Sequence, residues 1–125
     1  MEIYNVKALV NKTLRDLNYF KVVSPKYPDE MTTFPTAVFS TAHNAYVRDW
    51  KGQETDTEWN FTIDLFNKNG SLTDVTNKLI DKFSSMGFSN TVGDQDLSGV
   101  VRVAITFTGI VDNINKRVYQ KGWIN

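Results

Sequence analysis

Two stretches of the chain alternate apolar and polar residues almost without fault: Glu58-Trp59-Asn60-Phe61-Thr62-Ile63-Asp64-Leu65 and Val101-Arg102-Val103-Ala104-Ile105-Thr106-Phe107-Thr108. Successive side chains on a strand point to opposite faces of a sheet, so each stretch predicts a β-strand with one buried face. Trp59, Phe61, Ile63 and Leu65 are then expected to meet Val101, Val103, Ile105 and Phe107 in a core. Asn60, Thr62, Asp64, Arg102, Ala104, Thr106 and Thr108 are expected on a solvated or lightly packed face.

Helices must cover the apolar side. Ile3, Val6, Val10, Leu14 and Leu17 recur at steps of three or four, which predicts a helix of about four turns ending near Asn18. Leu72, Val75, Leu79, Phe83 and Met86 predict a second, with Ser71 as its cap, Asp74 at its positive end and Gly87 as its left-handed stop. Tyr19–Val23 reads as a small edge strand. Pro25, Pro28 and Pro35 make residues 24–35 a loop, because each removes a backbone donor and disfavours helix before it. Residues 36–42 read as a strand. From His43 to Thr57 the alternation dissolves, and the stretch reads as a long excursion, either a loop or an extended hairpin arm. Residues 88–98 read as a loop. The last strand runs from about Val100 to Val111, turns at 112–116 and returns through 117–120.

The predicted fold is therefore a single α+β domain over residues 1–125, with two α-helices on one face of a mainly antiparallel β-sheet.

Composition narrows the chemistry. Lys plus Arg equals Asp plus Glu at 14 each, so no net field draws the chain to nucleic acid or an anionic membrane. The absence of cysteine removes a disulfide framework and a cysteine zinc site together, and fits a reducing compartment. The first residues lack the basic start of a signal peptide, and no run approaches the roughly 20 apolar residues of a membrane helix. Phosphate-binding glycine motifs are absent.

His43, the one histidine, reads as an ordinary loop residue, because a catalytic role requires several convergent groups. Glu54, Asp56 and Glu58 alternate and could present three carboxylates on one side of an arm. A solvated strand face is the favoured reading over a cation site, since a divalent ion needs more ligands than this segment supplies. Tyr46 and Trp50 stand out in a polar stretch, as do Tyr119 and Trp123 near the end. Such aromatics either fold back on the core or anchor a partner, where Trp, Tyr and Arg are enriched.

The chain resembles the tail-terminator, or tail-completion, proteins of long-tailed bacteriophages. The likeness lies in Phe34-Pro35-Thr36-Ala37-Val38-Phe39 opening the first main strand, in Phe61-Thr62-Ile63-Asp64-Leu65-Phe66, and in Arg102 through Asp112 followed by Lys116-Arg117-Val118-Tyr119. The resemblance implies a structural virion protein, made in the host cytoplasm. It would form a homo-oligomeric ring, commonly a hexamer, that caps the tail tube, ends its polymerisation and offers a docking surface to the head connector or neck protein. It implies no catalytic residues, cofactor or metal, and no specific nucleic-acid binding, with DNA free to pass through the ring. The expected interface residues are Tyr46, Arg48, Trp50, Glu54, Asp56, Glu58, Tyr119 and Trp123. The runner-up readings are another head–tail joining or neck protein, then a small non-phage binding domain. An enzyme would need His43 or the 54–58 carboxylates to converge with other polar groups in a pocket.

Overall fold

The computed structural model describes residues 2–119. Helix α1 spans Val6–Asp16 and starts where the Asn5 side chain accepts the Ala8 N–H at 3.0 Å. This side-chain cap satisfies an amide that lacks an intrahelical partner. Ile3 lies before the helix and still packs on the core. Strand β1, Val22–Ser24, runs parallel to β2, Thr36–Arg48. Strand β3, Glu54–Lys68, pairs antiparallel with both β2 and β5, Val100–Asp112. Helix α2, Thr73–Met86, is followed by β4, Ser89–Leu97, and the last strand is β6, Arg117–Tyr119.

Among the described residues the six strands form one sheet in the order β1-β2-β3-β5-β4, with β6 continuing the β4 side along the far end of β5. The sheet is antiparallel except for β1, and both helices lie on one face of it, as the patterning predicts. Register puts Phe61 opposite Phe107, Ile63 opposite Ile105 and Leu65 opposite Val103. Val6, Val10 and Leu14 from α1 and Val75, Leu79 and Phe83 from α2 close over this row. Phe61 sits at the centre, stacked on Phe107 at 5.0 Å and edge-on to Phe83 and Phe88 at 5.1 and 5.0 Å. Offset and edge-to-face pairs of this kind add to the gain from burial.

Two glycines are needed where they stand. Gly87 has φ +114°, and its N–H reaches the carbonyls of Phe83 and Ser84, ending α2 as expected. Gly109 faces Phe88 and Val118 so closely that an added Cβ would lie 2.6 Å from the phenyl ring.

Several expectations are corrected. Residues 88–98 are not a loop: Ser89–Leu97 is a strand, exposed along its whole length and hydrogen-bonded to β5. Neither face is buried, so nothing selects for alternation. Of the two readings of the 43–57 excursion, the hairpin arm holds, with β2 running on to Arg48 and β3 beginning at Glu54. His43 consequently lies on β2 rather than in a loop. Ser71 does not cap α2. Leu72 holds the cap position, while Ser71 Oγ accepts the Thr73 N–H at 3.2 Å.

The face away from the helices is less solvated than expected. Tyr27, from the proline-rich loop, lies edge-on to Phe66 and donates its hydroxyl proton to Asp64. Asp64 also receives Arg102 Nη2 at 2.9 Å and is buried beside Thr36, Val38 and Phe66. The loop thus roofs one end of this face. Asn60 and Thr106 remain exposed.

Candidate assembly interface

The β2–β3 arm ends in a turn organised by one carboxylate. Asp49 Oδ1 accepts the N–H groups of Lys51 and Gln53, each at 2.9 Å, while the Asp49 N–H donates to the Gln53 carbonyl and the Gly52 N–H to the Asp49 carbonyl, again at 2.9 Å. An aspartate that bonds backbone amides two residues on is the ordinary means of fixing such a turn. Arg48 Nη1 donates to the Gly52 carbonyl at 3.1 Å, and its other terminal nitrogen lies 3.8 Å from Glu54. The result is an ordered tip on which Trp50 is 90% exposed, with Lys51 Nζ 5.0 Å from the ring centroid. Tyr46 and Val47 are exposed behind it, where two register shifts interrupt the ladder. Such irregularities bend a strand and strengthen its twist.

The expected interface residues therefore divide. Tyr46, Arg48 and Trp50 are exposed on the arm. Glu54, Asp56 and Glu58 are half-buried. Glu54 accepts the Thr57 hydroxyl proton and faces Arg48, and Asp56 accepts the hydroxyl proton of Tyr119. Burial first, and then the Asp56 carboxylate, holds the Tyr119 phenol above the ordinary tyrosine range. Tyr119 thus ties β6 to β3. Trp123 lies outside the described residues. Among those described, no three His, Asp or Glu side chains form a group able to hold a metal ion, and no helix is long and apolar enough to cross a membrane. His43 is exposed with its ring against Trp59, centroids 4.3 Å apart.

Asn113 is a positioning residue that sequence reasoning assigned only to a turn. Its side chain is buried, accepts the Tyr4 N–H at 3.0 Å and donates to Thr57 Oγ1 at 3.0 Å and to the Glu54 carbonyl at 3.3 Å. It thereby ties the β3 side of the arm, from Glu54 to Thr57, to the entry of α1. An asparagine within Asp-Asn-Ile-Asn reads as turn chemistry, and nothing local distinguishes this role.

Among the described residues both sides of the sheet are open. β1 covers the outer edge of β2 only at Thr36–Val38, so β2 from Phe39 to Arg48 has no outer strand among the described residues. On the other side, β4 is paired only with β5. Open edges present rows of N–H and C=O groups ready to pair with another chain.

No protein-family model, curated protein or solved structure matches this chain.

Proposed function

We propose that the protein is a non-catalytic subunit of a phage virion. In this reading, copies form a ring, with six as the expected number, that caps the tail tube, stops its growth and presents a docking surface to the head connector. The observation that carries the self-assembling part is the pairing of two open strand edges with an ordered arm bearing an exposed tryptophan. A monomer gains nothing from these features, whereas repeated contacts between copies would bury them. The position in the virion rests on the tail-terminator resemblance, whose segments fall on β2, β3, β5 and β6. Partners in this reading are further copies of the chain, the tail-tube protein and the connector or neck protein. DNA would pass through the ring without sequence recognition, consistent with a chain of zero formal net charge.

The test is deletion of the gene from its phage, followed by electron microscopy of the lysate. The expected outcome is unjoined heads with tails of uncontrolled length. Normal, infectious virions would overturn the reading.

A further inference from the structure

A groove opens between the N-terminal half of α2 and the β4–β5 ribbon, enclosing about 620 Å³. Leu72 and Thr76 line the helix side, and Val92, Val103, Asp94 and Asp96 the strand side. Thr76 is 7% exposed, and its Oγ1 has no hydrogen-bond partner among the described residues. Asp94 and Asp96 are the only charged residues in the lining, and neither forms an ion pair among the described residues. The groove is a mixed slot, with Leu72, Val92, Val101 and Val103 among neutral polar side chains and an acidic rim.

The arm tip is its chemical complement. Trp50 offers a large apolar surface with one N–H donor, and Lys51 beside it offers a cation. The one acid of the turn, Asp49, turns its Oδ1 to the backbone amides of Lys51 and Gln53. The tip cannot reach the groove of its own chain. Glu54, next to the tip, and Lys68, paired with Val100 beside the groove, are opposite ends of the 15-residue β3. At about 3.3 Å per residue they stand about 45 Å apart.

We propose that the tip of one copy seats in the groove of a second copy. The Trp50 indole enters between α2 and β4 over Leu72 and Val92, and Lys51 faces Asp94 and Asp96. The proposal rests on the self-assembly reading above and names the contact. Tip and groove are different surfaces, so the contact is heterologous: each copy uses both, and the chain of contacts closes into a ring if the rotation between copies closes.

The experiment uses the purified chain and sedimentation over a range of concentrations. Trp50→Ala removes the anchor, and Asp94→Lys with Asp96→Lys reverses the rim. Both are surface changes, and unaltered circular dichroism checks that the fold is kept. Each variant is expected to raise the midpoint concentration for assembly at least about 30-fold, the equivalent of losing one buried tryptophan anchor. A mixture of the two retains one good tip and one good groove, so it should give dimers and nothing larger. Because the chain has no cysteine, Lys51→Cys combined with Asp94→Cys should yield a ladder of intermolecular disulfides under mild oxidation. Assembly of the native chain with the same midpoint in both variants and no ladder would overturn this contact alone. Loss of assembly in Trp50→Ala but not in the rim variant would seat the tip elsewhere and also overturn it. A native chain that is monomeric at every concentration would overturn both this contact and the self-assembly reading.

Discussion

The Tyr119 hydroxyl donates to Asp56 Oδ2 across the intervening strand β5, joining residues 63 positions apart in the chain. Among the described residues β6 spans three residues and pairs with β5, with Val118 packed on the core, and the bond adds a direct tie to β3. Replacing Tyr119 with Phe keeps the ring and removes the bond. A hydrogen bond to a charged acceptor contributes about 1.5 kcal/mol, and chemical denaturation should register a loss of about that size. No change in midpoint would show that solvent satisfies Asp56 equally well.

Stability should fall in strong alkali. Tyr119 is raised above the ordinary value by burial and then by Asp56, and Tyr27 by burial and then by its bond to Asp64. Unfolded tyrosine ionises near pH 10. Above that, the unfolded chain holds fewer protons than the native one, so ionisation pulls the equilibrium towards unfolding. The contribution is fully present below pH ~10 and is lost as pH rises towards the folded pKa values. Urea titrations at several pH values should show the decline, with a shallower slope in Tyr119→Phe.

Asp64→Ala should be among the more damaging changes on the wet face. It strips the partner from Arg102 at 2.9 Å and from the Tyr27 hydroxyl at once. Breaking a largely buried pair from one side leaves the other charge uncompensated, and a cost of about 2 kcal/mol is expected after allowance for the partial exposure of Arg102. Hydrogen exchange should report faster amides around Tyr27, because that side chain secures the proline-rich loop to the sheet. Unchanged exchange there would assign the loop's placement to other contacts.

Gly109→Ala should destabilise the fold by about 2 kcal/mol, in the range of overpacked core substitutions. The new methyl would stand 2.6 Å from Phe88 Cδ1 and 2.8 Å from Val118 Cγ1. Thermal unfolding measures the loss. A second change, Val118→Ala, should restore part of it by opening one side of the clash.

Legibility in the sequence followed burial. β3 and β5 show their alternation because Phe61, Ile63, Ile105 and Phe107 face a core while Asn60 and Thr106 face water. The helices show their stripes for the same reason. β4 gave no such signal: with all nine residues exposed, its strand character comes entirely from the ladder with β5, and Gly93, Asp94 and Asp96 are free to look like a loop. The outer half of β2 was blurred in the same way. Trp50 was visible as an aromatic residue out of place, whereas the groove beyond α2 was not, since it is made by the strand that patterning missed. The Asp64–Arg102 pair and the bonds of Asn113 join residues 38 to 109 positions apart, and sequence alone carries no record of such meetings.

The short parallel ladder of β1 on β2 makes the outer margin of the sheet directional. Pairing ends at Ser24 beside Val38, and the next residue, Pro25, has no amide hydrogen to offer. Ahead of that point no strand among the described residues pairs with this margin as far as Arg48. A strand arriving from outside could slide along it only until it met Pro25, so β1 acts as a mechanical stop. It converts a margin with many slip positions into one with a preferred end point, and side-chain alternation then restricts any residual slippage to steps of two residues.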